Sequence, residues 1–278
     1  MKTEMPPVLV NDLFADERKA LLDLFASLTD TEWAAPTVCT GWTVRDIGLH
    51  LLGDDAGIIK LSETKTPSAV SGKQNTWEEK VNAVNEGNGR WVEATERITK
   101  SLLIEFLKIT GEVTLKYFQS RDLYALGRSV SWAGPEPAPV WLDIAREYTE
   151  RWIHQQQIRD AINKPGLKDK KFMGPVITAF MRSFLRVIPK ANVENGTIIK
   201  VNITGDAGLE CFLVKENGMW KLYEQYEGKP ASIVKLDQES SWRYLTKNIG
   251  RSDIVNKFEV EGNKELGLTL LDAVSIIA

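Results

Sequence analysis

Residues Ala138–Asn163, APVWLDIAREYTERWIHQQQIRDAIN, can form a helix from end to end. Pro135, Pro137 and Pro139 stand at its start and Pro165 after it, where a missing N–H and a fixed φ do least harm. Trp141, Ile144, Ala145, Tyr148, Trp152 and Ile158 recur at helical spacing, giving one broad apolar stripe of the kind that packs inside a bundle. Glu150 and His154 are four residues apart, which stacks a carboxylate and an imidazole one turn apart on a single face, near enough for one metal ion to take both. The chain has only two histidines in 278 residues, and the other, His50, falls on a second expected helix.

Upstream, FADERKALLDLFASL from Phe14 carries Leu21, Leu22, Leu24, Phe25 and Leu28 between charges and reads as a first amphipathic helix. Thr29–Glu32 offers a cap for a short turn ending at Pro36. In PTVCTGWTVRDIGLHLLGDDAGIIKL, Thr43 followed three residues on by Asp46 is a capping-box signal, so the next helix starts at Val44. Ile47, Leu51, Ile58 and Leu61 form its buried side, with Asp46, His50 and Asp54 in a row beside them. Residues 65–76, KTPSAVSGKQNT, read as an exposed loop. From Trp77 to Ser120 helical pattern predicts a third long helix, with a weak point at Glu86–Gly89. Four such helices fit an up-down bundle, whose sites are built from inward-facing side chains of different helices.

Downstream, Asn163–Gly166 followed by LKDKK marks a linker. FMGPVITAFMRSFLRVI is a hydrophobic helix, and then the period shortens: TIIKVNI, LECFLVKE, MWKLYEQY and ASIVKLD are strands, with Asn217-Gly218 as a hairpin turn. Asp237–Asn248 reads as a helix, KFEVEG as a strand and Asn263–Val274 as a closing helix. The expectation is a two-domain α+β protein, a four-helix bundle over 1–163 and a small α+β domain over 172–278.

Composition narrows the partners. Hydrophobic residues at 43% and charged residues at 26% suit a soluble globular protein, and a net charge of −3 without a basic tract gives nucleic acid no electrostatic support. No run approaches the roughly 18 apolar residues of a membrane span, and MKTEMPPVLVNDLF lacks the features of a signal peptide, so a cytoplasmic location is expected. Cys39 and Cys211 fall in different expected domains and are too few for a disulfide framework.

His50, Glu150 and His154 make a set of two histidines and one carboxylate, which suits Zn²⁺, Ni²⁺ or Fe²⁺ and leaves coordination positions open. A lone helical histidine is usually structural, and Glu-x-x-x-His by itself is a weak signal. The scarcity of histidine favours a site, because both fall on the inner edges of amphipathic helices.

PTVCTGWTVRDIGLHLLGD together with EYTERWIHQQQIRDA resembles the N-terminal domain of the mycothiol-dependent maleylpyruvate isomerase family, within the DinB-like metal-binding four-helix bundles. SSWRYLTKNIGRSDIVNKFEVEGNKELGLTLLDAVSIIA resembles the sterol-carrier-like C-terminal domain that often accompanies it. The resemblance implies a divalent metal, commonly zinc, held by His50, Glu150 and His154. It also implies a low-molecular-weight thiol, such as mycothiol or bacillithiol, whose thiolate attacks an electrophilic small-molecule substrate. Addition, rotation and elimination would then isomerise a cis double bond, or the thiol would simply be transferred. The family's catalytic arginine has two candidates by position, Arg243 and Arg251. A homodimer is compatible with this reading.

Weaker candidates surround the triad. Asp46 is either an acceptor orienting His50 or only the helix cap. Asn85 and Asn88 are candidates for binding the thiol, with polar surface as the plainer reading. Gln157, near the His154 face, is either a ligand contact or a solvated side chain. Cys39 has no histidine near it in sequence to activate it, and Trp33, Trp42, Trp91 and Trp152 read as core anchors. Two other functions fit the same residues: a binding protein for an apolar ligand whose metal only staples the bundle, and a metal-dependent hydrolase without a thiol.

Overall fold

The computed structural model describes residues 2–64, 77–133, 137–188 and 192–275. The loop expected over 65–76 lies outside them. By contact the chain groups into two compact units, one of Asn11–Arg121 with Glu150–Gly166, the other of Met1–Val10, Asp122–Thr149 and Leu167–Ile276. This grouping differs from the division expected between 163 and 172. Residues 122–149 join the second unit through side chains, Tyr148 Oη–H donating to Phe172 O at 3.1 Å and the Arg182 guanidinium lying 4.7 Å from the Trp141 ring centroid.

The first unit is helical. It contains α1 (Phe14–Ala26), the short α2 (Asp30–Trp33), α3 (Val44–Glu63), α4 (Trp77–Ala94), α5 (Lys100–Gln119) and the Glu150–Ala161 half of α6 (Val140–Ala161). The start of α3 is as expected: Thr43 Oγ1 accepts the Asp46 N–H while the Asp46 carboxylate accepts the Thr43 N–H at 2.9 Å. Thr43 is thereby the N-cap, and the Asp46 carboxylate closes its capping box. The expected third helix is two, and the break falls at residues 95–99 instead of Glu86–Gly89. Thr95 turns back to the Trp91 carbonyl at 2.7 Å, and Thr99 caps α5 by accepting the Leu102 N–H. Gly87 and Gly89 stay helical because each costs only about 1 kcal/mol, whereas a threonine cap positively starts a new helix.

Phe25, Leu49, Leu51, Leu103, Leu107 and Ile158 form the centre of this unit's apolar core, all 1% exposed or less. Each such side chain contributes about 1.5–3 kcal/mol by leaving water. Beside this core lies a buried ion cluster. Arg18 Nη1 and Nη2 donate to both oxygens of Asp55 at 2.7 and 3.0 Å, Arg151 Nη2 donates to Oδ1 at 3.0 Å, and Thr110 Oγ1 to Oδ2 at 2.6 Å. Burial opposes ionisation of Asp55, but Arg18 and Arg151 outweigh it and hold the carboxyl below its ordinary range.

Glu17, also fully buried, has one oxygen bonded by Gln155 Nε2 at 2.7 Å, while Oε2 has no hydrogen-bond partner among the described residues. Here burial wins over Arg18 and Arg151 and raises the carboxyl above 4.5. A carboxyl raised on folding favours the native state when protonated, and that contribution is lost as the pH rises through its folded value. Glu17→Gln is therefore expected to melt above the wild type at pH 8 and close to it at pH 4. A lower melting temperature at pH 8 would contradict the assignment.

The second unit is built on a six-stranded mixed sheet in the order β1-β4-β3-β2-β5-β6. The strands are β1 (Lys2–Glu4), β2 (Ile198–Thr204), β3 (Leu209–Glu216), β4 (Met219–Tyr226), β5 (Ser232–Asp237) and β6 (Glu259–Gly262). Only β2 and β5 are parallel neighbours. Asn217 and Gly218, at φ 50° and 79°, make the expected tight hairpin between β3 and β4. β1 was not expected; it pairs antiparallel with β4. The expected helix over 172–188 is α7 (Lys170–Phe180), a 3₁₀ turn and α8 (Phe184–Val187). α9 (Gln238–Leu245) is capped by Asp237, α10 is Arg251–Ile254, and α11 (Lys264–Leu268) passes into a 3₁₀ turn. α7, α8, α9 and α11 pack on the sheet. No helix among the described residues is long and apolar enough to cross a membrane.

Candidate metal centre

α3 and α6 bring His50, Glu150 and His154 together. His50 Nε2 lies 3.0 Å from His154 Nε2, and Glu150 Oε1 lies 3.1 Å from His154 Nε2 and 3.6 Å from His50 Nε2. A tetrahedral ion with bonds of about 2.0–2.1 Å sets its ligands about 3.3–3.4 Å apart, so these three atoms approximate one face of such a polyhedron. The donor chemistry fits too, two imidazole nitrogens and one carboxylate oxygen. The residues present therefore fit a divalent cation. They are the one such group among the described residues.

The surroundings favour charge neutralisation at this point. Both histidines are nearly inaccessible, at 3% and 4% exposure, and Glu150 is half-buried. Burial opposes ionisation of Glu150, yet hydrogen bonds to His154 and His50 hold its carboxyl well below the usual range. Burial likewise disfavours a charged His154, but bonds to Cys39 and Glu150 override it and raise the imidazole above its ordinary value. Asp54 Oδ2 stands 3.4 Å from His50 Nε2, and the Trp42 ring is 5.3 Å from the His50 ring.

Gln157 is not solvated. It is 1% exposed, and its Oε1 lies 2.7 Å from His154 Nδ1 and 3.2 Å from Cys39 Sγ. Cys39 thus has a histidine close in space although none is close in sequence. The i, i+3 spacing of His154 and Gln157 was a visible signal, whereas nothing in the sequence pointed from Cys39 to α6. Asn85 is exposed and Asn88 half-buried on α4, and neither is among the hydrogen-bond partners found for the triad within the described residues. Arg243 and Arg251 belong to the sheet unit and have local partners: Arg243 stacks 4.4 Å from the Trp242 ring centroid, and Arg251 pairs with Asp272 at 2.8 Å. Cys211 is buried on β3, and that burial pushes its thiol up to about 12 and leaves it inert.

Fold and donor set together define a class, two-unit α+β proteins with a candidate metal centre in the helical unit. Residues 14–159 match the family described as the mycothiol maleylpyruvate isomerase N-terminal domain, and the chain belongs to that family. Among solved structures it is similar to the mycothiol-dependent maleylpyruvate isomerase, with a TM-score of 0.51 and 10% identity over 84% of this chain and 86% of that chain. A mutant of the enzyme with one histidine changed to alanine gives 0.50 over the same shares at 10% identity. At this identity the likeness speaks for the fold. A sterol carrier protein 2 like 2 from Aedes aegypti aligns over 35% of this chain and 95% of its own at 12% identity, with a TM-score of 0.28. None of the curated proteins matches the chain.

Proposed function

We propose that the protein is a divalent-metal-dependent enzyme that uses a low-molecular-weight thiol, acting as an isomerase or transferase of the maleylpyruvate isomerase kind. The observation that carries this reading is the convergence of His50 Nε2, His154 Nε2 and Glu150 Oε1 within 3.0–3.6 Å, in a chain that belongs to the mycothiol maleylpyruvate isomerase family. These three side chains would hold the cation, with zinc the proposed ion. When bound, a divalent cation with open positions favours loss of the S–H proton from an incoming thiol, giving the thiolate that acts as nucleophile. Glu150 supplies the negative charge that retains the cation, and the low exposure of both histidines keeps water from competing for their nitrogens. A thiol such as mycothiol or bacillithiol and an electrophilic small-molecule substrate are the proposed partners, and the cytoplasm the proposed location.

Cobalt substitution tests the reading. The right thiol, among mycothiol, bacillithiol and glutathione, is expected to add a near-ultraviolet sulfur-to-cobalt band to the cobalt-loaded protein and to support turnover of maleylpyruvate. A folded, fully loaded protein with no response to any of the three would favour the hydrolase or ligand-binding alternative. Glu150→Gln, close to volume-neutral, is expected to weaken metal retention at least tenfold by chelator competition while leaving the melt of the metal-free protein within a few degrees. Unchanged retention would remove Glu150 from the ligand set.

A further inference from the structure

The environment of the second nitrogen of His154 determines whether the first can serve as a ligand. A neutral imidazole carries its proton on one nitrogen and its lone pair on the other. At His154, Nδ1 meets Gln157 Oε1 at 2.7 Å. The same oxygen lies 3.2 Å from Cys39 Sγ, whose S–H donates to it. The thiol donor fixes that amide terminus as oxygen, and a ring nitrogen 2.7 Å from an oxygen that can only accept must carry its own proton. With Nδ1–H donating there, Nε2 of the neutral ring is the nitrogen left to offer a lone pair to a cation held between it, Glu150 and His50. The flipped amide would do the reverse: its NH₂ would donate to Nδ1 and leave the imidazole proton on Nε2. That proton would sit between Nε2 of His154 and Nε2 of His50, which are only 3.0 Å apart.

The device is rigid at both ends. His154 and Gln157 share a face of α6 at i, i+3 spacing, and Gln157, at 1% exposure, has no bulk water to replace its partner. Cys39 is held by the turn that leads into α3. Trp42 N–H closes it on Cys39 O at 2.9 Å, Thr37 N–H bonds Trp42 O at 3.0 Å, and Gly41 supplies the φ of +82° that the third turn position needs. The turn that precedes the His50 helix thus reaches the acceptor of the other histidine.

We propose that Gln157 is the positioning residue of the metal centre, selecting the Nδ1–H tautomer of His154, and that Cys39 fixes the orientation of the Gln157 amide. Because the acceptor is a neutral amide and not a carboxylate, His154 donates less electron density to a bound cation than it would from a carboxylate–histidine pair, leaving that cation more electron-poor. The proposal rests on the reading of the triad as a metal centre, and the experiment separates the two.

Zinc affinity is measured by chelator competition, with the visible spectrum of the cobalt form and the solvent exchange of the His154 Nδ1–H in the zinc form as further readouts. The presence of only two histidines makes the ring signals simple to assign. Gln157→Leu is expected to lose about 10–100-fold in zinc affinity and to speed exchange of the ring proton. Gln157→Glu, which keeps an acceptor, is expected to hold affinity within about threefold and shift the cobalt bands, and Cys39→Val to lose about threefold. Zinc affinity of Gln157→Leu within about twofold of wild type overturns the proposal. So does a loss in Gln157→Glu equal to that in Gln157→Leu, or a wild-type Nδ1–H that exchanges freely. If Gln157→Leu does not fold, Gln157→Asn takes its place, its oxygen drawn back from His154 by one methylene, with the same expected loss. A wild-type chain that binds no divalent cation overturns the metal centre itself and this proposal with it.

Discussion

Asp55→Ala is expected to destabilise the protein by about 3–5 kcal/mol, because it removes the carboxylate that the buried guanidinium groups of Arg18 and Arg151 both hydrogen-bond. Neither can reach water without repacking, since their side chains are 10% and 2% exposed. Arg18 retains the Leu107 carbonyl at 2.7 Å, and the Arg151 guanidinium lies 5.8 and 5.7 Å from the Phe14 and Phe118 ring centroids. These contacts do not neutralise charge. The stabilisation should also fail with acid: a carboxyl held low in the folded state contributes above its unfolded value of 3.8, and the contribution is lost as the pH falls through its folded value. Urea denaturation of Asp55→Ala near neutral pH checks the first claim, and a loss under about 1 kcal/mol would show that the cluster relaxes by admitting water.

Replacing both histidines by alanine is expected to abolish stoichiometric metal binding. The wild type should carry one divalent ion per chain, and His50→Ala and His154→Ala should each weaken it by more than the roughly 10–100-fold that an orienting partner alone is worth. Metal analysis after equilibration with a chelator reads this directly, with the melt of the metal-free protein as the control for folding. Full occupancy in the double variant would place the ion elsewhere. The two large effects are distinct in kind: Asp55 acts on stability at any metal content, whereas the histidines act on retention of an ion.

Most elements were legible in the sequence because their signals are local. Thr43 and Asp46 announce the start of α3 within four residues, and Asn217-Gly218 announces its hairpin within two. The triad was legible for a different reason. Histidine is so scarce here that two on the inner edges of helices stood out without knowledge of their distance. What was hidden depends on partners far apart in the chain. Asp55 resembled any helical aspartate until Arg18, Thr110 and Arg151 closed around it. Gln157 looked like surface because its partner thiol is 118 residues away. The break after α4 was misplaced because two glycines are conspicuous and a single capping threonine, Thr99 between Ile98 and Lys100, is not.

β1 has a consequence for how the protein survives its own synthesis. The strand is three residues long, exposed, and followed by Pro6 and Pro7, which cannot extend the ladder. It lies at the rim of the sheet, where Lys2 Nζ reaches Glu216 Oε1 at 3.1 Å across 214 residues of sequence. Lys2–Glu4 leaves the ribosome long before its partner strand exists. Until it docks, the eight residues of β4 present an open row of backbone donors and acceptors, with Tyr223 and Tyr226 beside it. The charged, proline-stopped segment is a poor template for another chain, whereas uncovered β4 is a good one. Three residues that contribute little burial thus act as a guard against edge-to-edge aggregation, and removing them would expose the flank at which two copies of the sheet could join.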